Sequence, residues 1–227
     1  MKITFFGHSC FLLNISNTNI LFDPFISGNE KAKHININDI KADYVLLSHA
    51  HQDHILDAQT IAKNNDATIV CNYEMMEWYN KQGYAKCQPL NHGGNWKFNF
   101  GKVKMVNAIH SSSLPDGSYG GNPAGFVISV GDVEVYFAGD TALTLDMELL
   151  GLYNMLDVAF LPIGDCFTMG VEDAVIASKL INCDKIIGMH YDTFDFIKLK
   201  DKQAAKEAFT DAGKELILLQ IGDTIEL

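Results

Sequence analysis

Four side chains able to hold a metal fall within six residues, His49-Ala50-His51-Gln52-Asp53-His54. Imidazole and carboxylate are the donors that zinc-type ions take. His49 and His51, two residues apart on a loop, can turn to one ion, and Asp53 and His54 can turn to a second. A polar turn that is His-rich by accident is the bland alternative, and three histidines with an aspartate are too dense for it. The motif directly follows Tyr44-Val45-Leu46-Leu47, an apolar run that reads as a buried strand. Donors at the end of a strand are held on a rigid edge.

Three more strand-like runs end at such a residue. Residues 103–109 lead to His110, 133–138 to Asp140, and 185–189 to His190. His49, His51, Asp53, His54, His110, Asp140 and His190 together make five histidines and two aspartates, the complement for two ions. Taken alone, His110 or His190 reads as a core or loop histidine; beside the central motif, ligation is the better reading. Two close cations lower the pKa of a shared water towards neutrality and polarise a carbonyl or phosphoryl oxygen. Asp53 could also orient the resulting hydroxide nucleophile or carry a proton.

The elements that must position these residues begin with strands over 2–6, 11–15 and 19–22, at the spacing of an antiparallel meander. Residues 26–40 read as an ordered loop over the site, with His34 exposed. Helices are expected over 55–64, 73–80, 172–181 and 201–212, the last burying Ala204, Ala205, Ala208 and Phe209. Trp96, Phe98 and Phe100 alternate with polar residues, as a half-buried strand does. Gly131-Asp132 between two apolar runs reads as a two-residue hairpin turn. Final strands are expected over 215–220 and 224–227. Periodicity alone implies mixed α and β.

The central motif, with Gly7-His8-Ser9-Cys10-Phe11, the segment from Tyr119 through Gly120-Gly121-Asn122-Pro123-Ala124-Gly125, and His190-Tyr191-Asp192-Thr193-Phe194, resembles the metallo-β-lactamase fold superfamily. Within it, the chain is similar to a branch of small, largely uncharacterised metal-dependent hydrolases akin to the lactonase that opens L-ascorbate 6-phosphate. The resemblance spans nearly the whole chain. It implies an α+β fold, a four-layer αββα sandwich, over residues 1–227 as one domain. It places His49, His51 and His110 on one ion and Asp53, His54 and His190 on the other, with Asp140 bridging. The cofactor implied is two divalent ions, zinc foremost, with manganese, nickel and iron suited to the same donors.

Several residues beside the ligands carry a double reading. His8, placed with Asp53 as a catalytic candidate, either lies behind the ligands or contacts substrate, or else is a turn histidine bonded to backbone. Tyr191 either donates to a developing oxyanion or packs in the core. Asp165, at the end of another strand, could face the cavity, and the glycine-rich loop at 120–125 is expected to rim it. Cys10 reads as structural.

The formal net charge of -11 disfavours broad contact with nucleic-acid phosphates or anionic membranes. Five scattered cysteines, with no Cys-x-x-Cys pair, suit reduced thiols and a cytoplasmic location. No apolar run approaches membrane-spanning length, and the start lacks signal-peptide architecture. The expected function is therefore lactonase-like hydrolysis of a small ester-like bond, lactone or phosphodiester, in a small-molecule substrate, by a protein free to form a homo-oligomer. A non-catalytic metal-binding or scaffold protein, and a nuclease of the same fold, are the alternatives.

Overall fold

A computed structural model describes residues 1–227 and contains two seven-stranded sheets packed face to face. The first sheet is formed by β1 (Lys2–Gly7), β2 (Cys10–Ile15), β3 (Thr18–Phe22), β4 (Tyr44–Leu46), β5 (Thr68–Asn72), β6 (Cys87–Leu90) and the last strand, β14 (Thr224–Glu226). Its order is β14-β1-β2-β3-β4-β5-β6. The second is formed by β7 (Asn95–Lys97), β8 (Lys102–Asn107), β9 (Ala124–Val130), β10 (Val133–Phe137), β11 (Val158–Pro162), β12 (Lys185–Met189) and β13 (Glu215–Ile217), in the order β13-β12-β11-β10-β9-β8-β7. Strands β1 to β3 form the expected antiparallel meander, and β3 to β6 and β10 to β13 run parallel.

The side-chain period of two explains the layers. In β3, Ile20 and Phe22 join the core between the sheets, and Leu21 joins a second core outside; in β4 and β5 the inner residues are Leu46 and Val70, the outer ones Val45 and Ile69. Strands buried on both faces read as unbroken apolar runs. Between the sheets, the Phe22 and Phe137 rings stack 4.5 Å apart and Phe11 meets Phe160 edge-on at 4.7 Å. The outer core of the first sheet is covered by α1 (Gln52–Ile55), α2 (Ala58–Asn65) and α3 (Tyr73–Lys81). The second sheet packs against α4 (Asp146–Tyr153), α5 (Val171–Leu180) and α6 (Lys202–Asp211). The result is the expected four-layer αββα sandwich.

Local expectations fail where tertiary contacts override pattern. The helix expected from Ile55 is two helices, broken at Leu56-Asp57. The buried Asp57 carboxylate turns back to accept from the Ile26 and Ser27 amides at 2.7 and 2.8 Å, and its own amide donates to Pro24 at 3.0 Å. The short α1 therefore stands apart, and Asp53 and His54 ride on it. Residues 96–100 do not form one strand: Phe98 and Gly101 exchange backbone hydrogen bonds in a turn, Trp96 is exposed, and Phe98 and Phe100 stack 5.3 Å apart against Tyr44. Helix α4 escapes pattern reading because Leu149, Leu152 and Tyr153 face solvent while Met147 and Leu150 are buried, which leaves no apolar stripe. In α6, Ala205 and Phe209 are buried, whereas Ala204 is exposed and Ala208 half-buried. Strand β13 stops at Ile217, short of Gln220. The loop at 26–40 contains two single-turn 3-10 helices, and His34 is exposed. All five cysteines are unpaired, and no helix is long and apolar enough to cross a membrane.

Candidate metal centre

Five strands deliver polar residues to one edge of the sandwich. Just beyond β3, β4, β8, β10 and β12 come Asp23, His49, His110, Asp140 and His190. Four of these strands belong to the parallel sets, and the carboxyl ends of parallel strands are where α/β sheets place their ligands. His51 caps α1, and Asp53 and His54 follow on that helix.

The seven expected ligands converge. Donor atoms of His49, His51 and His110 lie within 4.8 Å of one another, as do those of His8, Asp53, His54 and His190. His49 Nε2 is 3.0 Å from His51 Nδ1. Asp140 Oδ2 stands between the two groups, 3.6 Å from His110 Nε2, 3.3 Å from His54 Nε2 and 2.9 Å from His190 Nε2. The backbone turn ahead of it requires Gly139, at φ +64°, because a Cβ there would come within 2.6 Å of the Ala124 carbonyl and 2.8 Å of Ser48. The close approach that this glycine permits is thus to neighbouring protein atoms.

Asp23 organises the histidines, and sequence reasoning passed over it. Its buried carboxylate accepts from the Ser48 amide and hydroxyl at 2.8 and 2.6 Å, and from His54 Nδ1 at 2.8 Å. A carboxylate only accepts, so His54 carries its proton on Nδ1 and presents Nε2 to the centre. The Ser48 hydroxyl gives its hydrogen to Asp23 and therefore accepts from His49 Nδ1, 3.0 Å away, which likewise frees His49 Nε2. One carboxylate thus sets two tautomers, and such partners orient metal-binding histidines. The strand-end rule that singled out Asp140 would have found Asp23 after Phe22.

His8 is buried, with both ring nitrogens engaged: Nε2 donates to Asp53 Oδ2 at 3.1 Å, and Nδ1 lies 2.9 Å from the Thr193 hydroxyl. Its backbone φ of +58° turns the ring inward after β1. Burial, then the neighbouring His190, hold its pKa down to about 3, so the ring is neutral. Burial alone would raise Asp53, but the His8 hydrogen bond and the charge of His54 take it below the usual carboxylate range. Burial likewise opposes ionisation of Asp140, yet His190 and His54 bring it well below its ordinary value. His49, His51 and His110 are each lowered, burial being the largest cause. His54 is the exception: burial would lower it, and Asp140 and Asp23 on either side raise it well above the ordinary value.

The donor set fits metal ions. Among the buried side-chain polar atoms of the cluster, His54 Nε2 faces the other donors and has no hydrogen bond. Such atoms are costly unless something pairs with them. Two carboxylates and five imidazoles around one point also match zinc-type donor chemistry.

A cavity of about 270 Å³ opens over the cluster. His51, Asp53, His110, Asp140 and His190 form its floor, and Ser111, Phe167, Phe194 and Phe196 its walls. The other residues given a double reading lie elsewhere. The Tyr191 hydroxyl bonds the Leu219 carbonyl at 3.3 Å and has no free donor for an oxyanion. Asp165 lines a separate cleft of about 580 Å³ with Gly170 and Lys198. The glycine-rich loop does not rim the cavity. Its Gly120 packs so closely on Ala50 that a Cβ would sit 2.4 Å from the alanine Cβ, and Asn72 Nδ2 donates to the Gly120 carbonyl at 2.7 Å. The loop buttresses the central motif from behind. Cys10 is buried, as a structural cysteine is.

Residues 2–190 match the family described as a Beta-lactamase superfamily domain. A UPF0173 metal-dependent hydrolase of Christiangramia forsetii is 58% identical over 228 residues, covering 100% of both chains. One from Flavobacterium johnsoniae is 57% identical over 227 residues, again covering 100% of both. Among solved structures, Igni18, a metallo hydrolase from the hyperthermophilic archaeon Ignicoccus hospitalis, superposes with a TM-score of 0.89 at 32% identity, over 99% of this chain and 97% of that one.

Proposed function

The chain belongs to the UPF0173 metal-dependent hydrolases of the beta-lactamase superfamily, and on that premise we propose that it cleaves a small ester-like bond with two divalent ions. The observation that carries this reading is the position of Asp140 Oδ2, within 3.6 Å of histidines from both donor groups. On this reading His49, His51 and His110 would hold one ion and Asp53, His54 and His190 the other, with the Asp140 carboxylate available to both. When bound, the pair supplies an activated water and a Lewis acid for the scissile oxygen.

The protein's own residues do the rest. Asp23 presents His49 and His54 in the ligating tautomer. His8, neutral and anchored by Thr193, holds Asp53 by a hydrogen bond and acts as a positioning residue. Asp53 is 30% exposed in its side chain and lines the cavity, so this ionised carboxylate can accept a hydrogen bond from a water over the site and orient it. Phe167, Phe194 and Phe196 give the cavity an apolar side beside its polar floor. The unpaired thiols support a reducing, cytoplasmic setting, and closure of the first sheet by β14 on β1 supports one catalytic domain over the whole chain.

The test is turnover of a lactone and carboxylic-ester panel by zinc-loaded and manganese-loaded protein, with metal content measured on the same preparations. About two ions per chain and hydrolysis that chelator abolishes are expected. Saturation at one ion, or no turnover of any ester by fully loaded protein, overturns the reading.

A further inference from the structure

We propose that Phe167, Phe194 and Phe196 form a subsite for one aromatic or compact apolar group, so that the natural substrate is uncharged away from its scissile bond. The proposal rests on the hydrolase reading of the same cavity and specifies its substrate class. The three rings form one wall: Phe194 and Phe196 stack at 5.4 Å, and Phe167 meets Phe196 edge-on at 5.4 Å. The wall is anchored to the site, because Phe194 packs 5.7 Å from the His8 ring. Phe167 and Phe196 are nonetheless 57% and 58% exposed. Two large rings left open to water at the mouth of a polar site are covered when an apolar group enters.

The backbone is shaped to hold them there. Asp165 and Cys166, consecutive residues at φ +63° and +65°, turn the chain before Phe167. His190 and Asp192, at +57° and +62°, do the same before Phe194. Residues other than glycine seldom adopt this conformation, and here two such turns aim aromatic rings at one opening.

Size and charge narrow the ligand. A cavity of about 150 Å³ lined by apolar side chains can take a benzene ring, so about 270 Å³ holds one ring and an ester-sized group over the ions. No lysine lines the cavity, and the chain has no arginine at all. Arginine is the side chain that grips phosphate or carboxylate with two parallel hydrogen bonds. The ions can neutralise the reacting group, but nothing on the walls neutralises a second anion. A substrate with a phosphate or carboxylate tail is therefore excluded, and a phenyl-type tail is favoured.

The probes are hydroxamates, which chelate metal ions through one constant group. Calorimetry on the zinc-loaded full-length protein compares acetohydroxamate, benzohydroxamate and 4-carboxybenzohydroxamate, and no step depends on turnover. Benzohydroxamate is expected to bind roughly 10–100-fold tighter than acetohydroxamate, the range for withdrawing a ring of this size from water. The added carboxylate should weaken binding at least several-fold. In the double variant Phe167→Ala/Phe196→Ala, which alters exposed residues only, the first two affinities should converge to within about threefold. Equal affinities in the parent protein overturn the subsite and leave the metal centre standing. Equal or tighter binding of the carboxylate overturns the charge exclusion. No binding of any hydroxamate, together with no ester turnover, overturns the hydrolase reading and the subsite with it.

Discussion

His8 and Asp140 differ in how they serve the centre, and their substitutions separate the roles. His8 touches Asp53 and Thr193 and does not line the cavity over the ions. His8→Ala is expected to keep about two ions and lower kcat/KM roughly 10–100-fold, the usual loss for a partner behind a ligand. If turnover of a folded, metallated His8→Ala protein equals the parent's, the residue has no part in the site. Asp140→Ala removes charge shared by both ions, so elemental analysis should find the ion at Asp53, His54 and His190 lost first, and activity lower by orders of magnitude. The pKa directions add a pH prediction. His49, His51 and His110 are held below the ordinary imidazole value, so their neutral, ligating forms persist as pH falls. His54 is raised in the metal-free protein, so an ion there must displace a proton. Dialysis from pH 8 to pH 6 should therefore strip the ion on the His54 side first, and loss of both ions together would contradict this order.

At the scale of elements, α1 is the piece on which the centre depends. It is one turn long, too short to be stable by itself. It persists because Asp57 ties its end to residues 24–27 through four hydrogen bonds, three of them to its side chain. Asp57→Ala leaves the buried Ile26 amide and the partly buried Ser27 amide without their partner. Urea unfolding should show a loss of about 2–4 kcal/mol. The same variant should bind metal more weakly, because Asp53 and His54 lose their platform. A variant with parental stability and parental metal affinity would show that α1 is held by packing alone.

At the scale of the molecule, the candidate ligands come from both sheets: His49, His51, Asp53 and His54 follow the first, while His110, Asp140 and His190 follow the second. Ions that bind only the folded arrangement stabilise it by mass action, about 2.7 kcal/mol for free metal at a hundredfold over Kd. Adding zinc to chelator-treated protein should thus raise Tm by several degrees, whereas Asp140→Ala should respond much less. An unchanged Tm on metal addition would mean that the two sheets are not linked through the centre.

The candidate ligands were legible in the sequence because His49, His110, Asp140 and His190 each follow an apolar run, and a run of known direction tells where its end must lie. The two-sheet sandwich was legible through its resemblance to a family, since alternation and periodicity alone said only mixed α and β. What the chain order could not show were contacts between distant segments. Asp23 bonds a serine and a histidine 25 and 31 residues away. His8 reaches Thr193 across 185 residues. The Gly120 loop faces the back of Ala50 and not the cavity, although the same residues would suit either side. Phe194 and Phe196, two apart, share a wall with Phe167 only because two loops meet there. Residue type and local period determine which groups can do chemistry and which strand ends hold them. Which neighbour each group meets, and so which tautomer, charge state or exposure it takes, is decided by packing between segments that local pattern does not relate.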